Sequence, residues 1–265
     1  MENLWKNTIP YWDDSFIEAD EKEPRKPTIT AYEAGSECAV IIFPGGGYAM
    51  RAEHEGKAYA EWLQSIGITS FVVDYRVAPY QHPAELSDAM RAVRYVRYFA
   101  KDYGINKNKI AVMGSSAGGH LAASVSVHYD KDIYKGTDKI DKEDCKPNAT
   151  ILCYPVIDMF EYRHDGSRQN LIGARAFDED KELMSLHKQV TRETPPAFIW
   201  HTAEDSTVPV ENSLLYAGAL SKAQIPFELH VYPYGHHGLG LAKAMPHVAQ
   251  WAPALENWLR LIEFI

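Results

Sequence analysis

The sequence predicts an α/β fold in which helices cover both faces of a mostly parallel central sheet. Short apolar strand candidates alternate along the chain with helical patterns, which is typical of parallel strands joined by crossover helices. A chain of 265 residues with 46% hydrophobic content can bury one large core and leaves little material for a second. No repeat or low-complexity segment is evident. We therefore expect a single domain over residues 1–265.

The strand and helix candidates follow one another in a regular order. The strand candidates are apolar runs rich in β-branched and aromatic residues, at 38–43, 68–73, 109–113, 149–154, 196–202 and 227–232. The helical candidates carry apolar residues at helical spacing, at 58–66, 86–100, 119–125 and 210–222, and a closing helix is predicted over 248–265. The aromatic residues of these helical stripes are expected to pack on the sheet rather than to contact a cofactor.

Two segments do not fit this alternation, and both are predicted to be edge or substrate-facing elements. The first is an N-terminal arm at residues 1–36, which contains a charged, proline-rich linker at 21–27. The second covers residues 158–195, is rich in charge and is interrupted by Gly166 and Gly173. A long segment of this kind after a central strand predicts a lid or cap insertion.

Charge and composition exclude several classes of function. The chain has 27 basic and 36 acidic residues, a formal net charge of −9, so a phosphate backbone or an anionic membrane would repel it. The first residues lack the basic segment and apolar run of a signal peptide, and no run of about 18 apolar residues is present. Three cysteines, an odd count, indicate buried, reduced thiols. These features predict a cytoplasmic protein that binds neither nucleic acid nor membrane.

A serine between two glycines is the most informative motif. Ser116 is the centre of Gly114–Gly118, which follows a buried strand candidate and precedes a helical one. Such a strand-turn-helix places the central hydroxyl above the sheet on a strained turn, where it acts as a nucleophile. The same pattern also arises by chance in loops that contain glycine and serine. The motif therefore predicts a nucleophile only together with a base and an acid elsewhere in the chain.

A serine hydroxyl needs a histidine base, and that histidine needs a carboxylate to orient it. In this type of fold the acid and then the histidine follow the serine, each on a loop after a strand. The loop after strand candidate 196–202 offers Glu204 and Asp205, and the loop after the last strand candidate offers His236 and His237. Asp205 is preferred because it lies three residues before the Val208-Pro209 break that opens the next helix. The residues themselves leave both histidines open.

A glycine-rich loop after the first strand candidate predicts an oxyanion hole. Three consecutive glycines in Pro44–Tyr48 let the chain turn its amides inward, so we assign one donor to Gly46 or Gly47. The second donor is assigned to the amide of Ala117, the residue after the nucleophile. A phosphate-binding loop is the alternative, but no Lys-Ser or Lys-Thr follows the glycines.

The remaining histidines show none of the His, Cys and Asp spacings that are typical of zinc sites, so surface or satisfied core positions are expected for them. The sequence therefore predicts no metal and no cofactor.

Six motifs occur in an order that resembles the α/β-hydrolase superfamily, in particular the bacterial acetyl esterases and feruloyl/acetylxylan esterases related to hormone-sensitive lipase. The resemblance covers most of the chain and identifies His237 as the base. One position departs from the lipase branch, because Pro44 stands where that branch has the histidine of His-Gly-Gly-Gly. This departure resembles the sugar-acetyl-esterase branch. The motifs lie at 43–48, 73–79, 114–122, 154–156, 205–209 and 237–240.

The resemblance implies a serine esterase whose partner is a small ester, with short acyl groups, acetyl above all, on sugars or xylo-oligosaccharides. Tyr48, Tyr154 and the predicted lid are then expected to shape the substrate pocket. Ester and amide hydrolysis share a tetrahedral intermediate, so a peptidase or formamidase stays open. A catalytically silent hydrolase fold that serves as a ligand receptor also stays open. Self-association is possible as well, but the sequence identifies no surface for it.

Overall fold

The computed structural model describes residues 1–16 and 26–265, which form one eight-stranded sheet flanked by helices. Residues 21–25 of the predicted linker lie outside the described residues. The strand order across the sheet is β1-β2-β4-β3-β5-β6-β7-β8. The strands are β1 (Glu2–Asn3), β2 (Thr28–Tyr32), β3 (Ala39–Phe43), β4 (Thr69–Asp74), β5 (Ile110–Ser115), β6 (Ala149–Cys153), β7 (Ala197–Thr202) and β8 (Phe227–Tyr232).

All pairs from β4 to β8 are parallel, whereas β2 pairs antiparallel with both β1 and β4. Neither β1 nor β2 was among the predicted strands. They belong to the N-terminal arm, which therefore forms one edge of the sheet over its described residues. Every residue of β3, β5, β6 and β7 is buried, as expected for central parallel strands covered on both faces. The predicted mostly parallel α/β architecture is confirmed.

The helices divide between the two faces of the sheet. Helices α2, α3 and α6 pack on one face, and α1 and α7 pack on the other. Successive strand residues alternate between these cores, so that Ile41 and Phe43 of β3 face the first and Val40 and Ile42 the second. The helices are α1 (Lys57–Ser65), α2 (Ala84–Tyr98), α3 (Ser116–His128), α4 (Asp165–Ile172), α5 (Asp178–Met184), α6 (Glu211–Ala223) and α7 (Trp251–Leu261).

The C-terminal helix is shorter than predicted. The sequence pattern predicts a helix over 248–265, but a 3₁₀ turn covers Val248–Gln250 and α7 ends at Leu261. Beyond the helix, Glu263 has φ 56°, and a left-handed residue at this position ends an α-helix. Phe264 is nevertheless buried in the core under α7, which explains why the apolar pattern continues past the helix end.

A buried ion pair attaches the N-terminal segment to α2. The guanidinium of Arg76 donates to both carboxylate oxygens of Asp88, at 2.8 and 2.9 Å, and to the carbonyl oxygen of Pro10. The indole of Trp5 donates to Asp88 at 2.7 Å. Arg76 belongs to one of the recognised motifs, and its contacts give that motif a structural role. Removing either Arg76 or Asp88 would leave the other as a buried, unpaired charge, which strongly destabilises a folded protein. The attachment of the N-terminal segment therefore depends on both residues.

The segment predicted as a lid contains α4, α5 and a short 3₁₀ turn at Leu186–Lys188. Leu171, Met184 and Leu186 are buried in the core on the α2, α3 and α6 side. The segment is therefore packed onto the domain rather than detached from it, and its action as a lid stays a prediction. Within residues 1–16 and 26–265, no helix combines the length and the apolar character needed to cross a bilayer.

Candidate active site

The candidate site lies at the carboxyl edge of the parallel strands, where open α/β sheets bind their ligands. Four loops meet there, which follow β3, β5, β7 and β8 and carry the glycine-rich segment, Ser116, Asp205 and His237 respectively. The order of the strands makes β3 a neighbour of β5 and β7 a neighbour of β8. Loops that are far apart in sequence therefore begin side by side.

Ser116 occupies the strained turn that the motif predicts. Its φ is 53°, which is unfavourable for a residue with a side chain and costs on the order of 1–3 kcal/mol. The flanking glycines permit the close packing that holds this turn. A Cβ on Gly114 would come within 2.0 Å of the Gly118 carbonyl oxygen, and one on Gly118 within 2.0 Å of the Phe43 carbonyl oxygen. Strand β5, helix α3 and the end of β3 therefore meet in backbone contact at the serine.

The side chains of Ser116, His237 and Asp205 form a continuous hydrogen-bonded chain. The Ser116 Oγ lies 2.8 Å from the His237 Nε2, and the His237 Nδ1 lies 2.6 Å from the Asp205 Oδ2. Because a carboxylate only accepts, Nδ1 carries the proton and Nε2 is left to accept from the serine hydroxyl. The histidine is therefore held in the tautomer that a general base requires.

Asp205 is buried and richly hydrogen-bonded. Its Oδ1 accepts from the backbone N–H groups of Thr207 and Val208, each at 2.9 Å. The imidazole of His201 also lies 3.3 Å from Oδ2. Burial alone raises the pKa of Asp205, but the hydrogen bonds from His201, His237 and the Val208 amide outweigh burial and hold the pKa well below its usual range. The carboxylate therefore stays ionised beside the imidazole.

The structure separates the two residues that the sequence left as alternatives. Glu204 does not contact His237; instead its Oε2 accepts from the Gly235 N–H at 3.0 Å. His236 is exposed, and its Nδ1 bonds to the His237 carbonyl oxygen at 2.7 Å. Glu204 and His236 thus hydrogen-bond to the loop that follows β8, whereas Asp205 and His237 hydrogen-bond to each other.

The glycine loop after β3 packs against Ser116. Gly46 has φ 127°, and a Cβ there would come within 2.3 Å of the Met50 carbonyl oxygen, so glycine is required. The backbone N–H groups of Gly46, Gly47 and Ala117 donate to no acceptor among the described residues. A Cβ on Gly45 would stand 3.1 Å from the Ser116 Cβ, which places this loop directly against Ser116.

Tyr48 lies beneath this loop and not at an open surface. Its hydroxyl bonds to the His120 Nδ1 at 2.8 Å, and the His120 Nε2 bonds to the Met184 carbonyl oxygen at 2.9 Å. Burial lowers the pKa of His120 to about 4, so this imidazole is neutral, donates from Nε2 and accepts from Tyr48. The buried phenol of Tyr48 is thus engaged in the interior, and its expected contact with substrate gives way to a proposed role in fixing the loop.

Tyr154 is likewise buried, behind the histidine. Its ring packs against the His237 ring in an edge-to-face arrangement, with centroids 5.1 Å apart. Its hydroxyl donates to the Glu55 Oε1 at 2.7 Å and accepts from the Gly240 N–H at 2.9 Å. The structure therefore gives no free hydroxyl at this position to meet a substrate, in contrast to the expectation from the resemblance.

Three site residues were not singled out by the sequence. Glu55 contacts both the glycine loop and Tyr154. Asn170 and His164 lie on or next to α4, where Asn170 donates to the Gly47 carbonyl oxygen at 2.8 Å. A Cβ on Gly47 would stand 3.8 Å from the His164 Cε1, so the start of α4 lies beside the loop.

In chemical terms, the arrangement can activate a hydroxyl and stabilise an oxyanion beside it. It joins a general base, an ionised carboxylate and backbone donors around one serine. Among the described residues, no group of three or more His, Cys, Asp or Glu side chains is placed to hold a metal ion.

Comparison with known proteins places this arrangement in a family. Residues 29–220 match the BD-FAE family. The chain belongs to the BD-FAE family. The resemblance that the six motifs predict is thereby confirmed. A crystal structure of the acetyl ester-xyloside bifunctional hydrolase from Caldicellulosiruptor lactoaceticus superposes with a TM-score of 0.94 and 46% identity, over 100% of this chain and 97% of that one.

Two longer proteins contain a segment similar to this BD-FAE chain. Endo-1,4-beta-xylanase B of Butyrivibrio fibrisolvens is 41% identical over 251 residues, or 91% of this chain and 38% of the relative. The acetylxylan esterase of Xylanibacter ruminicola is 34% identical over 230 residues, or 84% of this chain and 45% of the relative. The chain thus spans less than half the length of these curated relatives.

Proposed function

We propose that this BD-FAE protein is a serine carboxylic ester hydrolase that removes acetyl groups from xylose-containing sugars through an acyl-enzyme. The observation that carries the proposal is the hydrogen-bonded chain from Ser116 through His237 to Asp205, with distances of 2.8 and 2.6 Å. Three backbone amides without described partners lie beside the nucleophile. This combination supports acyl transfer as the reaction class.

In the proposed reaction, the Ser116 Oγ attacks the ester carbonyl carbon while its proton passes to the His237 Nε2. Asp205 stabilises the resulting imidazolium, and the amides of Ala117 and of Gly46 or Gly47 donate to the oxyanion. The carbon–oxygen bond to the alcohol then breaks, and the alcohol leaves with the proton from Nε2. Water repeats the sequence on the acyl-enzyme, which releases acetate and restores the serine.

The choice of substrate rests on the relatives. They are an acetylxylan esterase, a xylanase and an acetyl ester-xyloside hydrolase. The names of the first and the third specify an acetyl ester, which favours a short acyl group over a long one.

A matched set of substrates tests this proposal. We expect acetylated xylo-oligosaccharide and p-nitrophenyl acetate to be hydrolysed with kcat/KM values within the usual enzymatic range, above about 10⁴ M⁻¹s⁻¹. We expect p-nitrophenyl octanoate to react at least tenfold more slowly than the acetate. Release of acetate and of p-nitrophenol would be measured with the same enzyme preparation.

The amide analogue of p-nitrophenyl acetate separates the two classes of acyl transfer. It has the same acyl group and the same ring, so only the leaving atom differs. We expect 4-nitroacetanilide to react at least 1000-fold more slowly than the ester. Faster hydrolysis of the amide than of the ester would replace the esterase proposal by an amidase, and inactivity on every acyl substrate would contradict both.

A separate substitution tests the role of Asp205 in the hydrogen-bonded chain. Asp205→Asn is expected to lower kcat by about 10⁴-fold, because an amide at this position no longer fixes Nδ1 as the protonated nitrogen. Glu204→Gln is the matched control. Its side chain keeps an oxygen that can accept from the Gly235 N–H, so we expect kcat within about threefold of wild type. Equal losses in the two variants would contradict the assignment of Asp205.

A further inference from the structure

One buried carboxylate near the site has no part in the reaction described above. Glu55 lies in a 3₁₀ turn just before α1, and only 3% of its surface is exposed. Among the described residues, no lysine or arginine forms an ion pair with it, and the His54 Nε2 is 3.8 Å from its Oε1. A buried carboxylate is costly unless its oxygens are hydrogen-bonded, and both oxygens of Glu55 are.

The two oxygens of Glu55 face two different loops of the site. Oε2 accepts from the N–H of Gly45, the first glycine of the loop after β3, at 2.9 Å. Oε1 accepts from the hydroxyl of Tyr154 at 2.7 Å, and that hydroxyl accepts in turn from the Gly240 N–H at 2.9 Å. Gly240 is three residues beyond His237. A single carboxylate therefore joins the glycine loop to the histidine loop through one tyrosine.

The neighbouring residue makes a second contact between the same turn and the histidine loop. The His54 Nε2 lies 3.0 Å from the Gly238 carbonyl oxygen. The Tyr154 ring also packs edge-on against the His237 ring. The turn at Glu53–Glu55 thus contacts both the glycine loop and the histidine loop.

We propose that Glu55 is a positioning residue that sets the glycine loop and His237 at the correct separation across Ser116, with Tyr154 as the intermediate link. This inference rests on the proposed function. Small displacements of reacting groups reduce rates by large factors, so the link acts on kcat.

Two substitutions remove the link at different points. Glu55→Gln keeps the shape of the side chain but leaves one oxygen to serve two donors. Tyr154→Phe keeps the ring against His237 and removes only the hydroxyl. We expect Glu55→Gln to lower kcat for p-nitrophenyl acetate roughly 10- to 100-fold and Tyr154→Phe about tenfold, with KM within about twofold of wild type.

The double variant distinguishes a link from two separate effects. If Glu55 acts through Tyr154, Glu55→Gln combined with Tyr154→Phe is expected to lose no more kcat than Glu55→Gln alone. Losses that multiply would overturn the proposal, and so would single variants with the kcat of wild type. If Glu55→Gln does not fold, Tyr154→Phe alone decides, because it retains the ring and both neighbouring loops.

Two matched variants control for general effects of the substitutions. Glu53→Gln changes an exposed carboxylate in the same turn, and Tyr216→Phe removes a buried hydroxyl that has no hydrogen-bond partner in the described part of the chain. Both are expected to retain kcat within about twofold. Comparable losses in these controls would contradict the inference. Its failure is distinct from failure of the proposed function, because the latter requires that wild type and Ser116→Ala be equally inactive or equally active.

Discussion

Replacing Ser116 by alanine is expected to lower kcat for p-nitrophenyl acetate by about four to six orders of magnitude. The alanine side chain cannot form the acyl-enzyme, so attack must come from water at a site that remains otherwise intact. Binding contacts and the oxyanion amides stay in place, and we therefore expect KM to change far less than kcat. Turnover of stringently purified variant and wild type over the same range of substrate concentrations measures both quantities.

The adjacent serine provides the control for this substitution. Ser115 is also buried at the end of β5, but its hydroxyl bonds to that of Tyr59 at 3.0 Å and not to the histidine. Ser115→Ala is expected to retain kcat within about tenfold. A Ser116→Ala protein as active as wild type would contradict the proposed mechanism, whatever the behaviour of Ser115→Ala.

The second large effect is expected at the histidine, where the sequence leaves two neighbours open. His237→Ala is expected to lower kcat by about four to six orders of magnitude, since the nucleophile then has no base and the alcohol no proton donor. His236→Ala is expected to stay within about threefold of wild type, because His236 is exposed and its Nδ1 hydrogen-bonds to the backbone of its neighbour. Single-turnover and steady-state rates on p-nitrophenyl acetate measure both.

The two histidine variants also distinguish loss of the imidazole from distortion of the loop. Both substitutions alter the same turn after β8, so a loss due to loop distortion would affect both. A large loss in His236→Ala with an active His237→Ala would reverse the assignment, and equal large losses would show that the turn itself matters.

The three residues of the hydrogen-bonded chain could be predicted because their signals are local. Ser116 stands in a short motif whose glycines are needed for backbone contacts at 2.0 Å, and those contacts require no knowledge of distant side chains. Asp205 and His237 each follow a strand candidate in the expected chain order. The central strands were also evident, since a strand buried on both faces is a continuous apolar run.

The edge of the sheet could not be predicted in the same way. β2 pairs antiparallel with β4 although about 40 residues separate them, and its partly exposed residues lack a continuous apolar pattern. The arm is held by contacts of Trp5 and Pro10 to the buried Arg76–Asp88 pair. Such pairing depends on residues far apart in the chain, which neither spacing nor composition reveals.

The buried positions of Tyr48, Tyr154 and Glu55 could not be predicted from the sequence for a related reason. Aromatic residues next to catalytic motifs suggest a pocket wall, but here the phenols point into the domain and bond to His120 and Glu55. Glu55 lies among charged residues at 51–57, a pattern typical of a solvated turn. Only the approach of the turn to two distant loops shows that its carboxylate is buried.

The most direct test of the central claim is covalent labelling of the nucleophile with a fluorophosphonate, followed by intact mass and peptide mapping. An activated serine displaces fluoride and retains the phosphonyl group, so the label marks the group that attacks. We expect one adduct per chain, located on Ser116, with loss of esterase activity in proportion to labelling and no adduct in Ser116→Ala. An active protein that takes up no label, or that carries it on another residue while Ser116 stays free, would contradict the account.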